Sequence, residues 1–176
     1  MSPRLALLAL PLLLAACAST PQGRTATATD REPDEYEADD ILLRDHDVPH
    51  VVVAEAFVTP STPDDNIDSP ASWLQDGKLM LVASAKATDQ LVVYDGDTGK
   101  RLRTVGGSGE ALGKLSRPNG IATIDDRFVF VVERDKRRVQ LFQLPEFTPL
   151  LTFGEEALQQ PYGLWVRRKG AGYEVL

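Results

Sequence analysis

Two basic side chains occupy corresponding positions in an internal repeat of this 176-residue sequence. Lys86 follows Pro70 at the same spacing at which Arg134 follows Pro118. Each is expected at the end of the second strand of its repeat, where both would face one mouth of the fold with Glu133 nearby. Two cations on a shared rim can bind phosphate oxygens. The spacing therefore predicts a phosphate-binding rim, and the alternative is that both cations are solvated loop charges.

The composition excludes several other kinds of site. One Cys cannot form an intramolecular disulfide framework or a Cys-rich zinc site, and two His leave little room for a His-based metal site or triad. The 19 Lys and Arg residues are outnumbered by 26 Asp and Glu residues, which gives a net charge of -7. This balance argues against a general nucleic-acid binder, which needs a basic face.

The single cysteine, Cys17, ends a predicted export signal. Arg4 supplies the positive charge, and the apolar stretch 5–14 is too short to span a bilayer comfortably. Leu14-Ala15-Ala16-Cys17 fits the bacterial lipobox, in which the thiol receives a diacylglyceryl group and several acyl chains anchor the protein stably. Because Ala18 follows, rather than the Asp that signals inner-membrane retention, we expect an outer-membrane lipoprotein facing the periplasm or the cell surface. The alternative is a plain secretory peptide.

The chain divides into three segments. Residues 1–16 are the predicted lipoprotein signal peptide, and residues 17–47 are a predicted acidic flexible tether. The tether has few large apolar side chains whose burial could offset the entropy of ordering. Its acidic run could bind cations or serve as a solvated spacer. Residues 48–176 are the predicted folded part.

A tandem repeat dominates the folded part. Four pairs of segments match in one common register: Ser69–Trp73 with Arg117–Ile121, Leu79–Val82 with Arg127–Phe130, Leu91–Tyr94 with Val139–Phe142, and Thr104–Gly106 with Thr152–Gly154. A third copy begins at Gln160, so the repeats start near residues 70, 118 and 161.

Each copy has the pattern of four short strands. The first copy predicts strands at roughly 71–75, 79–85, 90–95 and 101–105, separated by turn signals such as Asp76-Gly77. A four-stranded repeat of this length indicates a β-propeller blade, and a β-sandwich is the alternative. We therefore predict an all-β fold, a β-propeller of four-stranded antiparallel blades. It would be present as an incomplete N-terminal portion, because the chain ends inside a strand of the third copy. The apolar runs 51–53 and 56–58 could supply another strand.

The start of the first repeat resembles the β-propeller phytases. Their signature D-A-x-D-D-P-A-x-W is matched by Asp65, Asp68, Pro70, Ala71 and Trp73, whereas Asn66 and Ser69 depart from it. The segments Ser84–Lys86 and Leu91–Asp95 are similar to a lysine-containing strand end and an LVVYD strand of the same family. The resemblance covers about residues 52 to 105.

The phytase resemblance implies a calcium-dependent phosphomonoesterase (3-phytase-like) acting on myo-inositol hexakisphosphate. Oxygen ligands would hold Ca²⁺, and basic side chains would bind phosphate and offset transition-state charge. The predicted metal ligands are Asp65, Asp68 and Glu133, and the predicted catalytic cations are Lys86, Arg117 and Arg134. The alternatives are that the two aspartates cap turns and that Arg117 is a plain turn residue.

The second repeat supports a different hypothesis. Arg117–Ala122 resembles an NHL-type propeller repeat, and Asn119 is the only match to the second phytase signature, N-N-x-D-x-R. A non-catalytic propeller serving as an extracytoplasmic binding or assembly scaffold is therefore the main alternative, and a propeller acting on a lactone or sugar is a third. Trp73 and Trp165 are predicted to be core or blade-packing residues rather than substrate platforms, and Tyr162 could contact phosphate.

Overall fold

The computed structural model of the protein describes residue 51 and residues 53–176. The predicted signal peptide at 1–16, the lipidation site Cys17 and the tether at 17–47 lie outside these residues. In the described part the chain forms strands, turns and loops but no helix, and hence no helix that could cross a membrane. The strands are β1 (Ile67–Gln75), β2 (Lys78–Ala85), β3 (Gln90–Asp95), β4 (Arg101–Gly106), β5 (Pro118–Ile124), β6 (Phe128–Glu133), β7 (Arg138–Gln143), β8 (Thr148–Phe153), β9 (Val166–Lys169) and β10 (Gly172–Val175).

Three antiparallel sheets follow one another along the chain. Sheet 1 has the order β1-β2-β3-β4, sheet 2 has the order β5-β6-β7-β8, and sheet 3 pairs β9 with β10. Neighbouring strands are also consecutive in sequence, because short turns join them. The tightest is Asp76-Gly77, whose φ angles of 52° and 78° suit a two-residue hairpin turn. The all-β prediction, with two four-stranded antiparallel sheets, is confirmed.

The core lies between the sheets because strand side chains alternate between two faces. In sheet 2, Val129 and Val131 belong to a buried cluster shared with sheet 1, whereas Phe130 and Val132 belong to a cluster shared with sheet 3. The central strands β2 and β6 are therefore buried over most of their length, and β4 is largely exposed. Burying one such side chain contributes about 1.5–3 kcal/mol.

The two tryptophans behave differently. Trp73 is buried and packs edge-on against Phe147, with ring centroids 5.7 Å apart, so its predicted core position is confirmed. Trp165 is 54% exposed and is therefore not a core residue, which leaves its packing between blades a prediction. Its ring instead lies beneath the guanidinium of Arg167, 5.6 Å away.

The registers of the two large sheets correct the sequence alignment of the first strands. Ile67 faces Ala85 in sheet 1 and Pro118 faces Glu133 in sheet 2, and a bulge follows at the same point in both sheets. In the sequence repeat Ala85 corresponds to Glu133, and the second strands of the two sheets keep this correspondence. The first strands do not keep the offset of the sequence repeat. Because the β1–β2 hairpin is longer than the β5–β6 hairpin, Pro118 corresponds to Ile67 in the sheets. The alignment of Pro118 with Pro70 is therefore wrong.

The segment before β1 forms no strand, so the extra strand suggested for 51–53 and 56–58 is wrong for the residues that the structure describes there. This segment nevertheless packs on sheet 1. The ring of Phe57 lies so close to Gly99 that a Cβ atom there would stand 2.5 Å from it. Because Gly99 has no side chain, the segment can pack against the β3–β4 turn.

Candidate functional site

The predicted site residues gather at one end of sheets 1 and 2. In an antiparallel meander the first strand begins where the second strand ends and the third begins. We call this end the start face, and it comprises residues 62–68, 86–89, 107–118 and 134–137. All the predicted metal ligands and catalytic cations lie on it or, for Glu133, directly beside it.

A repeated backbone device holds the two cations in equivalent places. Asn66 and Arg117 precede their first strands with φ angles of 47° and 45°, in the left-handed region that is uncommon for side-chain-bearing residues. The carbonyl of Asn66 accepts the N–H of Lys86 at 3.1 Å, and the carbonyl of Arg117 accepts the N–H of Arg134 at 3.4 Å. The predicted equivalence of Lys86 and Arg134 is therefore confirmed as a matter of backbone position.

The structure brings Lys86 and Asp68 together. Lys86 is buried, and its Nζ lies 3.7 Å from Oδ2 of Asp68, whose side chain is 19% exposed. The hydroxyl of Ser69 donates to the same carboxylate oxygen at 3.4 Å, and its main-chain N–H donates to Ser84 Oγ at 3.2 Å. A buried ammonium group is thus paired with a carboxylate that still reaches solvent.

Asp65 is held by other partners. Its Oδ2 lies 2.6 Å from NH1 of Arg101, and its Oδ1 accepts the hydroxyl of Thr88 at 3.1 Å. Its carbonyl accepts the N–H of Ala87 at 3.1 Å, which ties the β2–β3 turn to the segment before β1. The hydrogen bond from Arg101 lowers the pKa of the Asp65 carboxyl below its ordinary value. Asp65 is therefore ionised and paired at neutral pH.

Glu133 lies in the interior of sheet 2 and is 0% exposed. Its Oε2 accepts Nε of Arg138 at 2.5 Å and Nε2 of Gln140 at 3.1 Å. Its Oε1 accepts the N–H of Ser116 at 3.1 Å and lies 3.4 Å from Nζ of Lys136. Both carboxylate oxygens already have cationic and amide donors, so binding a metal would require Glu133 to give them up.

The Glu133 network fixes the connector between the two large sheets. Gln140, which is also fully buried, accepts the N–H of Gly113 at 2.5 Å and donates to the carbonyl of Lys114 at 3.1 Å. At the corresponding positions of sheet 1 stand Ala85 and Val92, both apolar and buried. Glu133 and Gln140 therefore stand where sheet 1 has two apolar residues, because their side chains supply hydrogen-bond partners for the backbone of the connector.

Arg117 and Arg134 meet through main-chain atoms, and the N–H of Arg117 is bound by a third residue. The N–H of Arg117 donates to Oδ1 of Asp89 at 2.7 Å, and Oδ2 of Asp89 accepts the hydroxyl of Ser108 at 2.5 Å. Arg134 is largely buried, and its NH1 lies 3.5 Å from a carboxylate oxygen of Asp135. The start face thus presents basic groups whose charge is partly offset by neighbouring carboxylates.

Sequence reasoning missed several of these residues, among them Asp89, Arg101 and Gln140. Gln140 had a usable signal, because it is a polar residue in a buried strand where the first repeat has Val92. The other two lie near strand ends rich in charge, where the sequence does not distinguish a paired residue from a solvated one.

The three predicted metal ligands differ in how accessible their carboxylates are. Asp68 remains partly exposed, whereas Asp65 and Glu133 are bonded as above. Within residues 53–176, no group of three or more His, Cys, Asp or Glu side chains is arranged to hold a metal ion. Asp65, Asp68 and Glu133 therefore fit a calcium site only if ion pairs are exchanged for the metal.

Tyr162 lies at the junction of sheet 2 with the third copy. It is partly exposed, and its carbonyl accepts the N–H of Gly120 at 2.8 Å. A Cβ atom on Gly120 would stand 2.7 Å from Cα of Gly163, so glycine permits this close approach of two backbones. The position explains the main-chain role of Tyr162 and leaves phosphate contact by its side chain a prediction.

Neither a protein-family model nor a curated protein matches this sequence. What the start face can bind is therefore inferred from its contacts and from the residues that resemble a known signature.

Proposed function

We propose that the stacked sheets are blades of a β-propeller and that the start face binds a polyphosphorylated small molecule. The fold proposal is supported by the two four-stranded meanders, which share the bulge in the first strand and the register of the second, third and fourth strands. It is also supported by the close approach of β1 and β5. A propeller places equivalent loops of successive blades around one mouth. Such a mouth would collect the basic residues of several repeats around one ligand.

The proposed activity is a phytase-like hydrolysis of phosphomonoesters, with myo-inositol hexakisphosphate as the substrate class. The observation that carries it is the equivalent placement of Lys86 and Arg134 by the carbonyls of Asn66 and Arg117. Cations on neighbouring repeats suit a ligand that carries several phosphate groups, because each repeat can bind one group. Lys86, Arg117 and Arg134 would bind and orient phosphate oxygens, and they would offset negative charge that develops during hydrolysis.

Calcium enters the proposal through the phytase resemblance. Bound Ca²⁺ would neutralise substrate phosphates and polarise a water molecule. Asp68 is the best placed of the predicted ligands because its carboxylate reaches solvent, and Asp65 would join it by releasing Arg101. Glu133 fits this role poorly, since it is sealed in the interior with donors on both oxygens.

The location remains part of the same proposal. Lipidation at Cys17 would attach the protein to the outer membrane, with the acidic tether spacing the sheets from the lipid surface. Phytate is a soluble polyanion, so an extracytoplasmic site would give the start face access to it. Labelling with a radioactive fatty acid tests the anchor, and Cys17→Ser should abolish the label.

The activity is tested by phosphate release from phytate, using the whole chain kept unlipidated by Cys17→Ser, with and without millimolar Ca²⁺. We expect calcium-dependent release that Asp68→Ala abolishes and Lys86→Ala weakens. Lys78→Ala is the matched control, because Lys78 lies at the opposite end of β2 and its side chain is 63% exposed. Absence of release from a protein whose circular dichroism shows folded β structure would contradict the proposal.

A binding or assembly scaffold is the second candidate function. It is favoured by the use of Asp65 and Glu133 as structural anchors, because Asp68 is then the one predicted metal ligand that is not tied to an arginine. A scaffold would show no phosphate release, and Asp68→Ala would leave its partner binding unchanged. Co-purification from cells with the lipid anchor intact would then identify the partner.

A further inference from the structure

Asp89 occupies a junction between sheets 1 and 2 on the start face. It lies between β2 and β3 with a φ angle of 56°, and its side chain reaches the connector and the beginning of β5. Oδ1 accepts the N–H of Arg117 at 2.7 Å, Oδ2 accepts the hydroxyl of Ser108 at 2.5 Å, and its carbonyl accepts the N–H of Gly107 at 2.8 Å. One residue of sheet 1 therefore holds three points of the chain that leads into sheet 2.

We propose that Asp89 is a positioning residue that sets the two arginines of the phosphate site. The chain of contacts is short. The Asp89 carboxylate fixes the N–H of Arg117, which stabilises the left-handed conformation of Arg117, and the carbonyl of Arg117 in turn accepts the N–H of Arg134. The left-handed conformation is unfavourable for a residue with a side chain. A charge-assisted hydrogen bond to the N–H of Arg117 offsets that cost.

In the first repeat the corresponding N–H has a main-chain acceptor instead of a carboxylate, because the N–H of Asn66 donates to the carbonyl of Pro63 at 3.2 Å. Asn66 corresponds to Arg117 and has a φ angle of 47°, and its carbonyl accepts the N–H of Lys86. Asparagine adopts left-handed conformations more readily than arginine does. The second repeat, which places an arginine there, gains the Asp89 carboxylate as support. The identity of the ligand rests on the proposed phosphate-binding function. The effect of Asp89 on the backbone of Arg117 and Arg134 does not depend on that function.

Two substitutions separate the geometry of Asp89 from its charge. Asp89→Gly removes the carboxylate without backbone strain, because glycine accommodates the left-handed conformation of this position. Asp89→Asn keeps an oxygen that accepts the N–H of Arg117, and its amide can donate to Ser108, but the negative charge is lost. Asp126→Gly is the matched control, since Asp126 has a φ of 53° and its Oδ1 accepts the N–H of Leu74 across the same two sheets at 2.8 Å.

The geometric test is amide hydrogen exchange measured by NMR on the whole unlipidated chain. We expect Asp89→Gly to accelerate exchange at the N–H groups of Arg117 and Arg134 by about tenfold. The N–H of Lys86, whose acceptor is Asn66, should change by less than about twofold. Unchanged exchange at Arg117 and Arg134, or equal acceleration at Lys86, would overturn the proposal.

The ligand test is calorimetric titration with myo-inositol hexakisphosphate. Loss of a nearby negative charge alone would strengthen binding of a polyanion. We therefore expect Asp89→Gly to weaken binding about tenfold, Asp89→Asn to bind at least as well as the parent, and Asp126→Gly to leave affinity unchanged. Tighter binding by Asp89→Gly would contradict the positioning role. If the parent protein binds no inositol phosphate, the proposed function fails, and hydrogen exchange alone decides the role of Asp89.

Discussion

Removing the carboxylate of Glu133, which lies directly beside the start face, is expected to destabilise the protein strongly. Its two oxygens satisfy Ser116 N–H, Arg138 and Gln140, and Lys136 lies within ion-pair distance. The side chains of Arg138 and Lys136 are only 12% and 10% exposed, and their other carboxylate neighbours, Glu155 and Glu110, are 4.0 Å away. Glu133→Ala would therefore leave two largely buried cations with only distant and exposed partners. Breaking a buried ion pair by removing one partner costs about 3–5 kcal/mol.

That loss is large beside the total stability of a domain, which is about 5–15 kcal/mol. Urea denaturation followed by circular dichroism should show a midpoint lower by about 2 M, given a slope of about 2 kcal/mol per M. Glu133→Gln keeps the volume and one acceptor, so we expect a smaller loss of about 1–3 kcal/mol. Glu155→Ala is the control. The carboxylate of Glu155 is 4.0 Å from NH1 of Arg138 and its side chain is 43% exposed, and its loss should cost less than about 0.5 kcal/mol.

Calcium supplies a second readout for the same variants. If Glu133 is a structural anchor, calcium should stabilise Glu133→Gln as much as it stabilises the parent protein. A Glu133→Ala protein within about 0.5 kcal/mol of the parent would refute the buried network. Loss of calcium stabilisation in Glu133→Gln alone would instead show that Glu133 binds the metal.

Three further predictions concern packing and pH. Phe142→Ala should lower the free energy of unfolding, measured by urea denaturation, by about 3–5 kcal/mol, because this ring is 0% exposed between sheets 1 and 2. Leu151→Ala, at a 46% exposed position, should cost less than about 0.5 kcal/mol. Asp65→Asn should lower the urea midpoint at pH 7. The difference should begin to shrink as the pH falls through about 4 and should vanish only below the lowered folded pKa, because a carboxyl whose folded pKa is lowered contributes stability that is lost when it is protonated; a difference that keeps its full pH 7 size down to about pH 2 would contradict the ion pair. Gly120→Ala should lower the melting temperature because its Cβ would meet the backbone of Gly163, while Gly163→Ala, with open space around its Cβ, should not; equal melting temperatures would show that the two backbones are not in contact.

The strands were predictable because each repeats a simple local pattern. The apolar run Phe128–Val132 marks a central strand that is buried on both faces, and the Asp76-Gly77 pair marks a hairpin. Burial on both faces is wrong for part of the run Leu79–Ala83, because Leu79 is 36% exposed. The register of the first strands could not be predicted from the sequence similarity of the two repeats. The segments around Pro70 and Pro118 look alike in sequence, but pairing is decided by hairpin length and by the bulge that follows Ile67 and Pro118.

The candidate site was predicted in its location and less well in its connections. The spacing of Lys86 and Arg134 correctly placed both at the end of a second strand, because the second strands keep the offset of the sequence repeat. The partners of Glu133 depend on where the connector folds back, which no local pattern records. The same holds for the contact of Asp89 with Arg117, which joins residues far apart in the sequence.

The most direct test of the phosphate-binding proposal is a crystal structure of the whole unlipidated chain with inositol hexasulfate, a non-hydrolysable analogue of phytate. The account predicts sulfate groups on the start face, bound by Lys86, Arg117 and Arg134 together. Crystals that contain the analogue on another surface, or a start face that stays free of it at concentrations well above those used in solution, would contradict the proposed site.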